Sequence, residues 1–200
     1  MVSWNEWSWN WHIRSHVSIG VSQHALALYY NVLHNFPSLR LTCYTFVALL
    51  KACGKLKDLV GGTHIHGEIA RMGFLESDYY VASSLISMYG DCGFLGKAQE
   101  VFHGLPRRNV VTWNTLITAH VNHGYGESAL LCFEEMKLYD LSPNAITFVC
   151  CLKACGSIRA VEEGRGLHNE IVRKGFLEED VIVGRAMVDM YAKMGLISVA

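Results

Sequence analysis

The chain has 200 residues, with 17 Lys+Arg against 18 Asp+Glu and a net charge of -1. Hydrophobic residues make up 51%, charged residues 18%, and there are only 3 prolines, which excludes a disordered tail, a collagen-like chain and a Pro-rich linker. The balanced charge lacks the signature of a strongly basic nucleic-acid-binding domain, so phosphate binding needs charge placed on one face.

Internal repetition precedes any assignment of elements. Thr45-Phe46 returns as Thr147-Phe148, and Leu50-Lys51-Ala52-Cys53-Gly54 as Leu152-Lys153-Ala154-Cys155-Gly156. Gly73-Phe74-Leu75-Glu76 returns as Gly175-Phe176-Leu177-Glu178, and Met88-Tyr89 as Met190-Tyr191, always 102 residues on. No insertion interrupts the series, so chance is not a sensible explanation.

In chain order, residues 6–42 form a degenerate first unit. Trp9-Asn10, Gly20 and Ala25-Leu26 align with Trp113-Asn114, Gly124 and Ala129-Leu130 at an offset of 104, which places about two extra residues near Pro37. Unit 43–78 carries Phe46, Leu49, Leu50 and Cys53 at i, i+3, i+4, i+7, the spacing of one buried helix face. Unit 79–109 shows the same stripe in its second helix, at Ala98, Val101, Phe102 and Leu105. Unit 110–144 shows it at Trp113, Leu116, Ile117 and His120, and unit 145–180 at Phe148, Cys151, Leu152 and Cys155. Residues 181–200 begin a further unit and stop after one helix, so Met187, Met190 and Tyr191 are expected to lack their normal cover and the chain to be a fragment. Gly54, Gly93, Gly124 and Gly156 fall where first helices are expected to end. Pro106 and Pro143 follow second helices, where the chain leaves helical geometry. No helical pair is large enough to bury its own stripe, so neighbours must stack: the expected fold is all-α, an α-solenoid of helix-turn-helix repeats.

Units of 31, 35 and 36 residues in rotation resemble the PLS subclass of plant pentatricopeptide repeat proteins. Val110 to Asn144 (VVTWNTLITAHVNHGYGESALLCFEEMKLYDLSPN) is similar to a P motif, as is the degenerate 6–42 copy. Segments 43–78 and 145–180 resemble L motifs, 79–109 an S motif, and 181–200 a truncated S motif. The resemblance implies a right-handed superhelix that binds single-stranded RNA, about one base per repeat, in mitochondrial or chloroplast RNA processing and mostly in C-to-U editing. Editing cofactor proteins are further partners it allows; it implies no cofactor, metal or membrane.

By that resemblance, each base is read by the fifth and last residues of a motif. These are Ser83 with Asn109 in the S motif, Asn114 with Asn144 in the P motif, and Val47 with Asp78 and Val149 with Asp180 in the L motifs. Ser with Asn implies adenine, and Asn with Asn a pyrimidine, cytosine above uracil. The valines offer no polar edge, and Arg185 stands where the last S motif usually has Asn. The second positions Tyr44, Tyr80, Val111, Ile146 and Ile182 are expected to sandwich bases, although Tyr44 and Tyr80 suit packing between repeats equally well. Arg107-Arg108 reads as a solvated pair.

Other chemistry is poorly represented. His66-Gly67-Glu68 and His168-Asn169-Glu170 are each half of the zinc deaminase signature, but no proline precedes a cysteine to complete it. Both triplets recur at the repeat period and belong to the scaffold. His12 and His16 stand at i, i+4 without further ligands nearby in sequence, and Glu162-Glu163 and Glu178-Glu179 read as solvated turns. The seven cysteines have no framework spacing and read as packing groups in a reducing compartment. The N-terminus shows neither a secretory signal nor a clear transit peptide. The expectation is a non-enzymatic RNA-binding module; the alternative is a tetratricopeptide-like scaffold for proteins.

Overall fold

A computed structural model describes residues 6–36 and 40–196, without the side chain of Glu179. The extra residues expected near Pro37 lie outside the described residues. These fold into thirteen α-helices with no strand among them. The chain forms two compact units, Met1–Arg107 and Arg108–Ala200.

In the first unit, α1 (Glu6–Ser18) and α2 (Ser22–Asn35), α3 (Cys43–Leu56) and α4 (Leu59–Arg71), and α6 (Tyr79–Asp91) and α7 (Leu95–Gly104) are three helical hairpins. The single turn α5 (Phe74–Ser77) joins α4 to α6. First helices pack in series, α1 on α3 and α3 on α6, while α2 and α4 each rest on the next first helix. The second unit repeats this scheme. It comprises α8 (Val110–Asn122) and α9 (Gly126–Leu138), α10 (Ala145–Ile158) and α11 (Val161–Arg173), the turn α12 (Phe176–Glu179), and α13 (Val181–Lys193). Here α10 packs on α8, α9 and α13.

The stripes anticipated from helical spacing are all buried, with Phe46, Phe102, Trp113 and Phe148 among the largest enclosed side chains. Enclosing such a side chain contributes about 1.5–3 kcal/mol, which is why stacking holds hairpins that are unstable alone. Met187 and Met190 depart from expectation, because both are buried. A Cβ on Gly164 of α11 would stand 2.9 Å from Met190 Sδ, so α11 reaches over that methionine. Tyr191 Oη meets His168 Nδ1 at 2.8 Å, as Tyr89 Oη meets His66 Nδ1 at 2.9 Å. The two H-x-E histidines are therefore tied to packing tyrosines at the repeat period.

Two of the four glycines do not end helices. Gly93 and Gly124 do so, with φ of 85° and 79°. Gly54 and Gly156 lie inside α3 and α10, which run on to left-handed Lys57 and Arg159. Their role is close approach between first helices. A Cβ at Gly54 would lie 2.7 Å from Asp91 Oδ2, and one at Gly156 3.3 Å from the Met190 Cα. Arg159 carries a side chain at φ 54°, which an L-residue adopts at a cost of about 1–2 kcal/mol. Arg159→Gly is expected to raise stability by about 0.5–1 kcal/mol in urea denaturation, after the entropy glycine adds to the unfolded chain. An unchanged midpoint would refute strain at this cap.

All seven cysteines are free thiols, five of them buried. Burial pushes Cys53 and Cys155 up to about 12 and Cys132 up to about 11, so these thiols pack rather than react. Glu162 and Glu163 are not in a turn but open α11, where the helix dipole favours negative charge. Glu178 likewise lies in α12. No helix among the described residues is long and apolar enough to cross a membrane.

Candidate nucleic-acid interface

Each helix start has backbone N–H groups with no helical partner, and a side-chain oxygen just before the helix can accept from them. That place is held by Thr42, Asp78, Asn109, Asn144 and Asp180, the residues that precede α3, α6, α8, α10 and α13. Asp78 accepts from Tyr80 N–H at 2.8 Å and Val81 N–H at 3.3 Å, and Asp180 from Ile182 N–H at 2.8 Å. Asn109 and Asn144 complete reciprocal capping boxes with Thr112 and Thr147. Positions expected to read bases are thus also helix caps, which restricts them to short oxygen-bearing side chains. Burial and a hydrogen bond to Asp78 together push the Cys43 thiol up.

The fifth residues lie one turn into the first helices. Val47 and Val149 are half-buried. Ser83 is buried, and its hydroxyl donates to Tyr80 O at 3.1 Å. Ser83 belongs to the first unit and its expected partner Asn109 to the second. Arg185, at the fifth position of the last segment, is exposed.

Asn114 and Asn144 come together within the second unit. Asn114 Nδ2 donates to Asn144 Oδ1 at 3.1 Å, and Thr147 Oγ1 donates to Asn114 Oδ1 at 2.6 Å. Asn144 Oδ1 also accepts from Thr147 N–H at 3.1 Å. Both amide oxygens are therefore engaged inside the protein. One hydrogen on Asn114 Nδ2 and both on Asn144 Nδ2 have no partner among the described residues, against one remaining lone pair on Asn114 Oδ1, so the pair offers mainly donors. Asn114 is only 7% exposed, whereas Asn144 is exposed.

The second positions border these residues on the same helices. Tyr44 is 65% exposed and Tyr80 57%, while Val111, Ile146 and Ile182 are also exposed. Neither tyrosine ring is enclosed between repeats. The Arg14 guanidinium lies 5.4 Å from the Tyr44 ring centre, and Tyr79 and Tyr80 rings are 4.3 Å apart. Tyr44, Val47 and exposed Lys51 share a face of α3 at i, i+3, i+7; Ile146, Val149 and exposed Lys153 do the same on α10. Arg108 is not simply solvated: its Nη1 donates to Tyr139 Oη at 3.1 Å.

The sequence reading passed over the first unit's counterparts, although the 104-residue offset that matched Trp9-Asn10 also places Trp7 opposite Val111. Trp7 is 73% exposed on α1. Asn10 is buried, and its Oδ1 accepts from Thr42 N–H at 3.0 Å and from the Thr45 hydroxyl. Unlike Asn114, its amide is consumed by Glu6 O at 2.7 Å and Arg40 O at 3.2 Å. That asparagine has no hydrogen left for a ligand.

Family models for the PPR repeat family and the PPR repeat match residues 108–157 and 80–110. The chain belongs to the pentatricopeptide repeat family. Pentatricopeptide repeat-containing protein At2g13600 of Arabidopsis thaliana is 39% identical over 78% of this chain and 22% of its own length. The chloroplastic At5g55740 protein of the same plant is 37% identical over 98% of this chain and 23% of its own, and chloroplastic CRR2 36% identical over 93% and 28%. The chain thus spans about a quarter of the length of these relatives. Among solved structures, the maize pentatricopeptide repeat protein PPR10 matches with a TM-score of 0.67 at 20% identity, over 97% of this chain and 30% of that one. PPR10 in complex with an 18-nt psaJ RNA element matches with a TM-score of 0.78 at 20% identity, over 98% and 28%. The pentatricopeptide repeat fold, an all-helical α-solenoid, accounts for the hairpins in both units.

Proposed function

We propose that the chain is a single-stranded RNA-binding module of the PLS type, with repeats at 6–42, 43–78, 79–109, 110–144, 145–180 and 181–200. The observation that carries this reading is the Asn114–Asn144 pair, which offers amide donors beside the exposed Val111 and Ile146. Among the four bases, only cytosine has two adjacent acceptors, N3 and O2, on its pairing edge; uracil has two separated by a donor. A donor-rich pair therefore favours cytosine, then uracil, and leaves purines poorly matched. The crystal structure of PPR10 with its psaJ RNA element supports the ligand class. Chloroplastic relatives support an organellar role, and C-to-U editing is the process we infer for it.

The L-type repeats take a different part in this reading. Val47 and Val149 recognise no edge, and Lys51 and Lys153, four residues on, contact phosphate. The chain performs no reaction of its own: the His66 and His168 rings are held by tyrosines, and editing chemistry belongs to another domain or protein. A second reading, a protein scaffold, draws on a groove of 770 Å³ between α9 and α11. Glu127, Glu134, Glu163 and Glu170 rim it, with Lys137 paired to Glu134 at 2.7 Å, so the rim is acidic on balance and suits a basic amphipathic segment.

Gel shifts with short single-stranded RNAs separate the two. The expected result is salt-sensitive binding that prefers cytosine at the base opposite the Asn114–Asn144 pair. The double change Lys51→Ala with Lys153→Ala is expected to weaken every RNA equally and to flatten the log–log salt slope by about 1.4. Equal binding to all sequences, or none at low salt, would favour the scaffold.

A further inference from the structure

We propose that Thr147 is a specificity-determining positioning residue, whose hydroxyl fixes which end of the Asn114 amide faces the RNA. The proposal rests on the reading of the Asn114–Asn144 pair given above and adds a residue from the next repeat to it.

The orientation follows from one unambiguous donor. The Thr147 backbone N–H can only donate, and it lies 3.1 Å from the Asn144 side chain, so the atom it meets is Oδ1. That oxygen also faces Asn114 at 3.1 Å, so the Asn114 atom there must be Nδ2. The other end of Asn114 is then Oδ1, 2.6 Å from Thr147 Oγ1. The hydroxyl accepts from Asn144 N–H at 3.2 Å and gives its single proton to Asn114 Oδ1. Turning the Asn114 amide over would set two oxygens against each other at 3.1 Å and take away the nearer acceptor of the hydroxyl proton, leaving it only Asn144 Oδ1 at 3.0 Å, which already accepts from Thr147 N–H. Thr147 is fully buried, so water cannot replace it.

The same device stands in the first unit, which carries the argument independently. Thr45, also fully buried, donates to Asn10 Oδ1 as Thr147 does to Asn114 Oδ1. There the amide meets two carbonyl oxygens, so the lock is present while the reader is silent. The third residue of a following repeat thus orients the fifth residue of the repeat before it. The base a repeat accepts is then set partly outside its own sequence span.

The test compares the full chain with Thr147→Val, which keeps the shape and removes the hydroxyl, and with Thr147→Ser, which keeps the hydroxyl. Four RNAs differing only at the base opposite Asn114 are titrated against each. Wild-type protein is expected to prefer cytosine over purines about tenfold. Thr147→Val is expected to bring that ratio within about threefold, and Thr147→Ser to restore it. In ligand-free protein, the two Asn114 Nδ2 protons, distinct in every variant because the amide C–N bond does not rotate freely, are expected to exchange with solvent slowly in wild type and Thr147→Ser and faster in Thr147→Val. A Thr147→Val protein that keeps the wild-type ratio, or that loses affinity equally for all four RNAs, overturns this proposal alone. Wild-type protein that ignores the base overturns the RNA reading and the specificity role with it. In that case the side-chain proton signals still report whether the amide is locked.

Discussion

Replacing Asn114 by Asp is expected to abolish the preference for cytosine and to weaken binding to the preferred RNA by about 1–3 kcal/mol, a factor of roughly five to 150. The cause is local. The substitution removes Nδ2, the group that donates to Asn144 Oδ1 at 3.1 Å and whose second hydrogen is the one proposed for the base. A carboxylate oxygen then opposes Asn144 Oδ1, itself held in place by Thr147 N–H, so Asn144 cannot turn to compensate without giving up its helix cap. Losing that cap costs a further ~1 kcal/mol of stability. The new charge is also nearly buried, which penalises the folded state and repels phosphate. Titration of four RNAs varied at one base reads the specificity, and thermal melting reads the stability. A variant that still ranks cytosine first would remove Asn114 from the recognition surface.

Gly156→Val is expected to destabilise the second unit by about 3 kcal/mol, at the upper end of what overpacking costs. The new Cβ would stand 3.3 Å from the Met190 Cα, and the two methyl groups beyond it have no space between α10 and α13. Backbone cannot yield as a flexible side chain can, so the helices must move apart and expose Met187 and Met190. Gly166→Val, on α11 with nothing within 4 Å of its Cβ position, is the control. It should cost little beyond helix propensity, and in helices valine is no worse than glycine. Equal midpoints in urea for the two variants would show that α10 and α13 do not need this close approach.

The repeats, the helices and their buried faces were legible because each depends on residues close in sequence. Phe148, Cys151, Leu152 and Cys155 are all enclosed, as their spacing demanded. The histidines of the H-x-E triplets were assigned to the scaffold from recurrence alone, and their tyrosine partners give the physical reason. The glycines were harder to read. Gly54 and Gly124 both come after the apolar stripe of a first helix, but the first is an interhelical contact inside that helix and the second a helix end. The difference is made by Asp91, far along the chain, and no local pattern contains it.

The sequence by itself determined that this protein is a stack of helical hairpins, because a period of about 35 residues and a 3.6-residue apolar phase are properties of neighbouring positions. The resemblance to the repeat family, set on that register, also marked Asn114 and Asn144. Only the tertiary structure decided what those residues have left to offer. Asn10 and Asn114 align and share a threonine lock, yet Glu6 O and Arg40 O exhaust the first amide while the second keeps a hydrogen free. The Arg40 carbonyl, brought in from thirty residues away, takes the last of those hydrogens, because a hydrogen bond depends on distance and direction in space rather than on separation along the chain.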